Sequence, residues 1–245
     1  MGKKLRLDVL LTERGLAPSR SRAQSLILAG KVRVSGQVET KAGTQVGSDA
    51  EVEVATPDHP YVSRGALKLE AALDEFSISP EGLYCLDVGA STGGFTDLLL
   101  QRGAQRVIAV DVGRGQLDWK LRSDERVIVL EGVNARRLDA EQLPFRSALA
   151  TIDVSFISLT LIVPAIVPHL LPDAWLVGLV KPQFEAGRDQ VGKGGIVRDE
   201  QIRRQAIDRT VAAIAGFGFD LVGVVPSPIA GQKGNLEELA VFRLG

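Results

Sequence analysis

The sequence is poor in cysteine and histidine, which excludes two common ways of building a stabilised or metal-dependent site. Its 245 residues include a single cysteine, Cys85, so an internal disulfide cannot form. Two histidines, His59 and His169, leave few ligands for zinc, and we expect no metal site. Because Cys85 stands in an apolar stretch, we expect it to be a buried small side chain rather than a reactive thiol.

Long apolar segments are also missing. No stretch of signal-peptide length follows the N-terminal Met-Gly-Lys-Lys-Leu-Arg. The longest apolar region, residues 159–171, is interrupted by Pro164, Pro168 and His169 and is too short to span a bilayer. We therefore expect a cytoplasmic protein without a membrane partner. Nothing in the sequence indicates self-association, so a monomer is the default expectation.

The chain has almost no net charge, but its charges are unevenly distributed. The 29 basic and 30 acidic residues leave −1 overall. Residues 1–50 hold nine basic and four acidic side chains, which is +5, so residues 51–245 carry −6. A basic front on an acidic body indicates a module that docks on a polyanion, joined to a domain with a different task.

Residues 1–56 are predicted to form a small α+β domain. The predicted elements are helices at 6–14 and 19–29, a hairpin at 31–38 and a strand at 51–55. Both helical segments have apolar residues at helical spacing, and a glycine typical of a helix C-terminus follows each. The hairpin prediction comes from alternating residues around a Ser-Gly turn. The turn-rich residues 57–62 are predicted to be a linker.

Residues 63–245 alternate strand patterns with helix patterns. The predicted strands are 84–88, 106–110, 127–130, 149–154, 175–180, 219–225 and 238–243. The predicted helices lie near 63–76, 93–102, 116–122, 159–170 and 199–215. Such alternation predicts a largely parallel, doubly wound sheet with helices on both faces. The predicted fold class is therefore α/β, Rossmann-like, preceded by the small α+β domain.

A glycine-rich turn follows the first strand of the second domain. Residues 86–96 read Leu-Asp-Val-Gly-Ala-Ser-Thr-Gly-Gly-Phe-Thr, so the strand ends near Asp87 and a helix opens after the glycines. Glycine lets a backbone approach a ligand closely, and such turns cradle ligands at the carboxyl edge of a parallel sheet. Asp111 ends the next strand, where an acid suits hydrogen bonding to a ribose diol.

Two other interpretations of this turn stay open on the residues alone. The spacing Gly-x-x-x-Gly-Gly differs from the dinucleotide fingerprint, and Asp87 would repel a pyrophosphate, which disfavours NAD(P). A tight turn beside a surface carboxylate, without any ligand, is the second alternative. An acid before the glycines favours a ligand with a cationic amino-acid end.

The string from Asp87 to Phe95, followed by Asp111, resembles the S-adenosylmethionine site of the class I methyltransferases. The longer string Asp87–Asp97 is similar to that of the TlyA/hemolysin A family. These are ribosomal-RNA cytidine 2′-O-methyltransferases with an S4 RNA-binding domain before an FtsJ-like methyltransferase domain. Further matching strings are Tyr61–Leu69, Asp153–Ser158, Lys181–Glu185 and Gly234–Glu237. The first 55 residues resemble the S4 domain, so the resemblance covers nearly the whole chain.

The resemblance implies a cofactor and a set of residues that bind it. The cofactor is S-adenosylmethionine. The residues expected to bind it are Asp87, Gly89, Ala90, Ser91, Gly93, Gly94, Phe95, Asp111, Asn134 and Asp153. Asn134, after the third strand, is the candidate for the adenine edge, with a simple loop asparagine as the alternative.

The resemblance also implies a catalytic set, the Lys-Asp-Lys-Glu tetrad of ribose 2′-O-methyltransferases. Its members are Lys68, Asp153, Lys181 and Glu237. A ribose 2′-hydroxyl is a poor nucleophile, so transfer needs the hydroxyl in line with the methyl group and a group that takes its proton. We expect Lys181 to steer and deprotonate the hydroxyl. Lys68 and Glu237 would fix the charge state and position of Lys181, and Asp153 would hold Lys181 in place.

The basic N-terminal module supplies candidate phosphate contacts. They are Arg6, Arg20, Arg22, Lys31, Arg33 and Lys41. Two of these arginines lie in the first turn of a predicted helix, where a cation is unfavourable unless a negative ligand arrives. No aromatic residue precedes Tyr61, so recognition of folded RNA by shape and backbone fits better than base stacking. The expected partner is ribosomal RNA, 16S, 23S or both, within ribosomal subunits.

Two other classes of function are weighed against the methyltransferase. One is a non-catalytic RNA-binding or ribosome assembly factor, which the intact tetrad disfavours. The other is a pore-forming haemolysin, as one family name implies, which the lack of a spanning segment disfavours.

Overall fold

The structure is a computed structural model that describes residues 4–17, 19–54 and 59–245, apart from the side chains of Arg22, Ala140, Arg188 and Gln232. The chain divides into two units, Met1–Pro60 and Tyr61–Gly245. The predicted linker at 57–62 lies partly outside the described residues. In the described part of the chain, no helix is long and apolar enough to cross a membrane.

The first unit packs two helices against short strands. Its helices are α1 (Leu7–Glu13) and α2 (Arg20–Leu28), and its strands are β1 (Lys4–Arg6), β2 (Val32–Val34), β3 (Gln37–Glu39), β4 (Gln45–Gly47) and β5 (Val52–Val54). The predicted hairpin and third strand form an antiparallel sheet in the order β3-β2-β5. Leu7, Leu11 and Ile27 are fully buried at the helix contact, because their spacing places them on the inward helix faces.

The second unit is built on a seven-stranded sheet. Its strands are β6 (Tyr84–Val88), β7 (Arg106–Asp111), β8 (Val127–Glu131), β9 (Ser147–Ile152), β10 (Leu170–Val180), β11 (Phe219–Pro226) and β12 (Glu238–Leu244). The order is β11-β12-β10-β9-β6-β7-β8, and β12 runs antiparallel to both of its neighbours. The strands from β10 to β8 pair in parallel. The predicted α/β class with a largely parallel sheet is confirmed.

Helices cover both faces of this sheet. They are α3 (Ala66–Glu75), α4 (Gly94–Gln101), α5 (Trp119–Arg122), α6 (Val163–Ile166), α7 (Pro182–Glu185) and α8 (Glu200–Ala215). Alternate residues of one strand point to opposite faces, so Cys85 joins the core beneath α3 and α4, whereas Leu86 joins the core beneath α6 and α8. Because both faces are buried, the central strands read as continuous apolar runs.

The region 159–170 differs from the single helix that its apolar pattern predicts. The structure has 3-10 turns at Leu159–Leu161 and Val167–His169 around the four-residue α6, and β10 already begins at Leu170. Pro164 and Pro168 lack an N–H and hold φ near −65°, so each starts a new turn and the helix cannot continue. The predicted helix at 116–122 is likewise only the four-residue α5.

Candidate active site

The candidate site lies at the carboxyl ends of β6, β7, β9 and β10, the edge where open parallel sheets bind ligands. Three adjoining cavities open there, with volumes of about 420, 230 and 110 Å³. Gly89, Ser91 and Asp153 line all three. The cavities therefore form one cleft. In order of decreasing volume, we call the three parts the cofactor cavity, the lysine cavity and the loop cavity.

The glycine-rich turn forms the floor of the cleft. Gly89 has φ +87°, and a Cβ there would overlap the backbone carbonyl of Asp153. Only glycine lets the turn after β6 approach the chain after β9 this closely. Gly93 has φ +95° and faces the side chains of Leu117 and Leu121, so it closes the turn before α4. The loop cavity is lined by the predicted residues Ala90, Ser91, Gly94 and Phe95, together with Ser63 and Gly65.

Asp111 connects this turn to the end of β7. Its Oδ2 accepts a hydrogen bond from the Ser91 N–H at 2.8 Å, and its Oδ1 accepts from the Gly113 N–H at 2.6 Å. The carboxylate is half-buried and lines the cofactor cavity. Its position is therefore fixed by the backbone while it stays within reach of a ligand.

The walls of the cofactor cavity are largely apolar. Val112, Val133, Val154, Ile157 and Ile162 line it, which suits a flat ring. Asn134 stands among them, and its Oδ1 accepts from the Arg136 N–H at 3.1 Å. This bond orients the side chain as the cap of a short turn. The amide NH₂ is the remaining donor for a ring nitrogen.

The side chain of Asp87 lies beneath the cleft and lines none of its three cavities. Its side chain is fully buried, with Oδ2 accepting from Thr96 Oγ1 at 2.6 Å and Oδ1 accepting from Thr151 Oγ1 at 3.0 Å. Burial raises the pKa of this carboxyl to about 6, although the two threonine hydrogen bonds oppose the shift. Asp87 therefore joins β6, β9 and α4 through its two threonine partners.

The four residues of the predicted tetrad line the lysine cavity together. Asp153 and Lys181 directly follow β9 and β10, Lys68 lies on α3, and Glu237 directly precedes β12. Lys181 Nζ lies 2.6 Å from Asp153 Oδ1, and Lys68 Nζ lies 2.6 Å from Glu237 Oε2. Lys68, Lys181 and Glu237 are 9%, 7% and 4% exposed. A buried pair, Lys68–Glu237, and a partly exposed pair, Lys181–Asp153, therefore line one small cavity.

Lys181 has a second fixed partner. Its Nζ donates to Ser155 Oγ at 3.0 Å, in addition to its contact with Asp153. An ammonium has three N–H directions, so these two acceptors leave one for a ligand in the cavity. Ser155 lies two residues after Asp153 in a string already singled out, yet no rule of spacing marks it as a partner of Lys181.

The short segment before β12 is held in place by Asn235. Its Nδ2 donates to the Gly195 carbonyl at 2.9 Å, and its Oδ1 accepts from the Val197 N–H at 3.3 Å. Glu237 follows two residues later, and its Oε1 also accepts from Gln183 Nε2 at 3.2 Å. The side chain of Gln183 thereby joins α7, which follows Lys181, to Glu237.

Phe156 also lines the cleft, although nothing in the sequence marks it as a site residue. It is 88% exposed, has φ +66° and lines both the lysine cavity and the cofactor cavity. Its ring contacts that of Phe184, with centroids 5.0 Å apart. An exposed aromatic ring at the mouth of a charged cavity suits stacking against a nucleotide base.

In the first unit, two of the predicted phosphate contacts, Arg6 and Arg20, pair with an acidic side chain of the protein. Buried Asp8 accepts from Arg6 Nε at 3.0 Å, from Arg20 Nε at 2.9 Å and from Gln24 Nε2 at 2.8 Å. The hydrogen bond from Arg6 is the main reason that the pKa of Asp8 falls below its usual range. Arg20 therefore has a counterion within the protein, and its place in the first turn of α2 does not require an external anion.

The other predicted phosphate contacts lie on the surface of the first unit. Lys31, Arg33 and Lys41 are exposed. Arg33 donates to the Gly36 carbonyl at 2.9 Å across the turn of the hairpin. The side chain of Arg22 lies outside the described residues.

Comparison with known proteins relates this architecture to a family. Residues 61–244 match the family described as FtsJ-like methyltransferase, and residues 5–52 match the S4 domain. The chain belongs to the FtsJ-like methyltransferases. It is thus an enzyme of the methyltransferase class, and the resemblance to the TlyA/hemolysin A family that its motifs carry is confirmed.

The relatives of this methyltransferase carry two kinds of name. It is 48% identical to the 16S/23S rRNA (cytidine-2′-O)-methyltransferase TlyA of Mycobacterium tuberculosis, over 97% of this chain and 89% of the relative. It is 45% identical to Hemolysin A of Brachyspira hyodysenteriae, over 97% of this chain and 99% of the relative. A solved structure named as a hemolysin from Streptococcus thermophilus matches with 43% identity and a TM-score of 0.77, covering 100% of this chain and 90% of that one.

Proposed function

We propose that this methyltransferase transfers a methyl group from S-adenosylmethionine to the ribose 2′-hydroxyl of cytidine in 16S or 23S ribosomal RNA, in the cytoplasm. The observation that carries the proposal is the lysine cavity, in which Lys181 is fixed by Asp153 and Ser155 opposite the Lys68–Glu237 pair. The substrate class also rests on the name of the TlyA relative, which is an rRNA (cytidine-2′-O)-methyltransferase.

The residues of the cleft fit S-adenosylmethionine. Asp111 suits the ribose diol, the apolar walls of the cofactor cavity suit adenine, and Asn134 suits its polar edge. The narrow loop cavity, where a side chain at Gly89 would collide with the backbone, suits the amino-acid end. When bound, the cofactor supplies an electrophilic methyl group on a positively charged sulfur.

Lys181 is proposed to act on the 2′-hydroxyl. In this step Lys181 acts as the neutral amine: its two N–H groups point to Asp153 and Ser155, and its lone pair remains to take the proton of the hydroxyl. The carboxylate of Asp153 compensates the positive charge that Lys181 gains with the proton. Because Asp153 and Lys181 directly follow β9 and β10, the amine is positioned before the RNA arrives.

Lys68 and Glu237 are proposed to complete the charge balance. The pair adds one positive and one negative charge, so it leaves the net charge of the cavity unchanged while Lys181 takes up the proton of the hydroxyl. A buried lysine without Glu237 would carry an uncompensated charge, which is strongly unfavourable. Phe156 is proposed to stack on the target base and so to place the ribose over the lysine cavity.

The first unit is proposed to hold the RNA. The S4 match and the charge of +5 over residues 1–50 support a phosphate-binding surface. The exposed candidates for this surface are Lys31, Arg33 and Lys41. Arg6 and Arg20, which are held in place by Asp8, are further candidates. Contacts of this kind position an RNA, and the cavity then selects the nucleotide.

The proposal is tested by titrating the protein with S-adenosylmethionine in a calorimeter and then measuring transfer of a tritiated methyl group to isolated ribosomal subunits. We expect saturable cofactor binding and incorporation into RNA that stops at one methyl group per target site. Absence of cofactor binding would contradict the proposal. Binding without transfer to either subunit would instead support the assembly-factor alternative.

A further inference from the structure

Two loops carry the residues of the lysine cavity, and they are joined at two places. The first loop, residues 153–159, follows β9 and carries Asp153, Ser155 and Phe156. The second, residues 181–185, follows β10, carries Lys181 and includes the four-residue helix α7; we call it a loop because it connects β10 to the next segment of the chain. The first joint consists of the contacts of Lys181 with Asp153 and Ser155. The second joint uses a carboxylate that the proposed reaction leaves without a role.

That carboxylate belongs to Glu185, at the end of the second loop. Its Oε2 accepts from Ser158 Oγ at 2.5 Å, and its Oε1 accepts from the Leu159 N–H at 2.8 Å. Leu159 begins a 3-10 turn, whose first N–H groups have no partner within the turn. Glu185 therefore caps, from the second loop, the turn that ends the first loop.

Phe156 stands between the two joints. Its φ of +66° is costly for a bulky residue and persists only where the surrounding structure holds it. The ring rests on Phe184, the neighbour of Glu185 in the second loop. Release of the Glu185 joint would leave one end of this strained segment unattached while Lys181 still holds the other.

We propose that Glu185 is a positioning residue for methyl transfer. It touches no reacting atom. By binding Ser158 and Leu159 it holds the first loop against the second, so that Phe156 and Ser155 keep their places relative to Lys181. This inference rests on the function proposed above. It assigns to a carboxylate outside the tetrad the task of keeping the target nucleotide in line with the transferred group.

The test compares Glu185→Ala with Glu185→Gln in single-turnover methyl transfer to ribosomal subunits, at saturating cofactor and RNA. The amide of glutamine can still accept from the Leu159 N–H while its NH₂ donates to Ser158 Oγ. We expect the alanine variant to be about 10–100-fold slower, since a displacement of about 1 Å at a reacting centre has effects of this size. The glutamine variant should stay within about threefold of the wild type.

A double-mutant cycle with Ser158→Ala separates positioning from general stability. The rate losses of Glu185→Ala and Ser158→Ala should not add, because both remove the same joint. Glu125→Ala, which removes an exposed carboxylate before β8, should leave the rate unchanged. Circular dichroism at the assay temperature verifies that each variant is folded.

Three outcomes would overturn the inference. They are a wild-type rate in Glu185→Ala, equal losses in the alanine and glutamine variants, and additive losses in the cycle. Failure of the wild-type protein to methylate either subunit is a separate result, which removes the proposed function and this inference with it.

Discussion

Burial gives the acidic residues at this sheet edge two different tasks. Asp111 and Asp153 reach the cleft, whereas Asp87 lies beneath it with both oxygens bound by threonines. The position of Asp87 in the sequence, at a strand end before glycines, predicts a ligand contact equally well. Residues near the end of a strand point either to one face of the sheet or into the cleft, and their position in the sequence does not say which. Nor does the sequence indicate that the Thr96 and Thr151 hydroxyls bind this carboxylate.

The raised pKa of Asp87 leads to a prediction about stability. Between its usual pKa of 3.8 and about 6, the folded protein keeps a proton that the unfolded chain has released. The free energy of unfolding therefore falls as pH rises through this window and levels off above it. Relative to Asp87→Asn, which cannot ionise, the wild type should lose about 2 kcal/mol between pH 4.5 and 7.5.

Urea unfolding followed by circular dichroism at several pH values measures this difference. Thr40→Ser, in the first unit, is a control variant that should follow the wild type at every pH. A constant difference between the wild type and Asp87→Asn over this range would show that Asp87 is not buried as described.

At the scale of single residues, the clustering of the four proposed tetrad residues in one cavity could be anticipated, because they lie in separate strings that share one resemblance. Ser155, Phe156 and Glu185 could not. Their importance comes from contacts between two loops that are 26 or more residues apart in sequence. Spacing rules describe neighbours within one element, whereas these contacts depend on the neighbouring positions of β9 and β10 in the sheet.

At the scale of elements, the glycine-rich turn between β6 and α4 determines the width of the cleft. Gly89→Ala adds a methyl group at φ +87° against the Asp153 backbone. We expect at least tenfold weaker binding of S-adenosylmethionine and a loss of about 1–3 kcal/mol in the free energy of unfolding.

Gly82→Ala is the matched control for this variant. Its φ is +71°, and a Cβ there has nothing within 4 Å. It should cost backbone strain of similar size but leave cofactor binding unchanged in calorimetry. Equal effects of the two substitutions on binding would mean that the turn is not where the cofactor lies.

Most elements of the second unit could be predicted because long apolar strands alternate with amphipathic helices. The failures are short or interrupted elements. β1 and β4 have three residues each, which is too short for an alternation of apolar and polar residues to be recognised in the sequence. In the structure they pair with one another. The segment 159–170 has the right composition for a helix, and its two prolines divide it.

At the scale of the whole molecule, the uneven charge separates two kinds of binding. Residues 1–50 carry +5, whereas the cleft of the second unit holds balanced pairs. RNA binding through phosphates releases counterions, so its affinity should fall linearly on a log–log plot against salt. Cofactor binding in the largely apolar cofactor cavity should change much less over the same range.

Filter binding of a ribosomal-RNA fragment at several salt concentrations measures this dependence. The double variant Lys31→Ala/Lys41→Ala should bind less tightly and reduce the slope by about two, one for each phosphate contact. Arg126→Ala, whose guanidinium pairs with Asp124, should leave the slope unchanged. If the double variant and the wild type have the same slope, Lys31 and Lys41 do not contact RNA phosphates.

The central claim is that the lysine cavity directs a methyl group to a ribose hydroxyl. It is tested most directly by nucleoside mass spectrometry of ribosomal subunits treated with the wild-type protein or with Lys181→Met. We expect 2′-O-methylcytidine to form with the wild type and to fall by about 100-fold or more with the variant, which still binds S-adenosylmethionine. A methyl group on a base, or equal 2′-O-methylcytidine from both proteins, would contradict it.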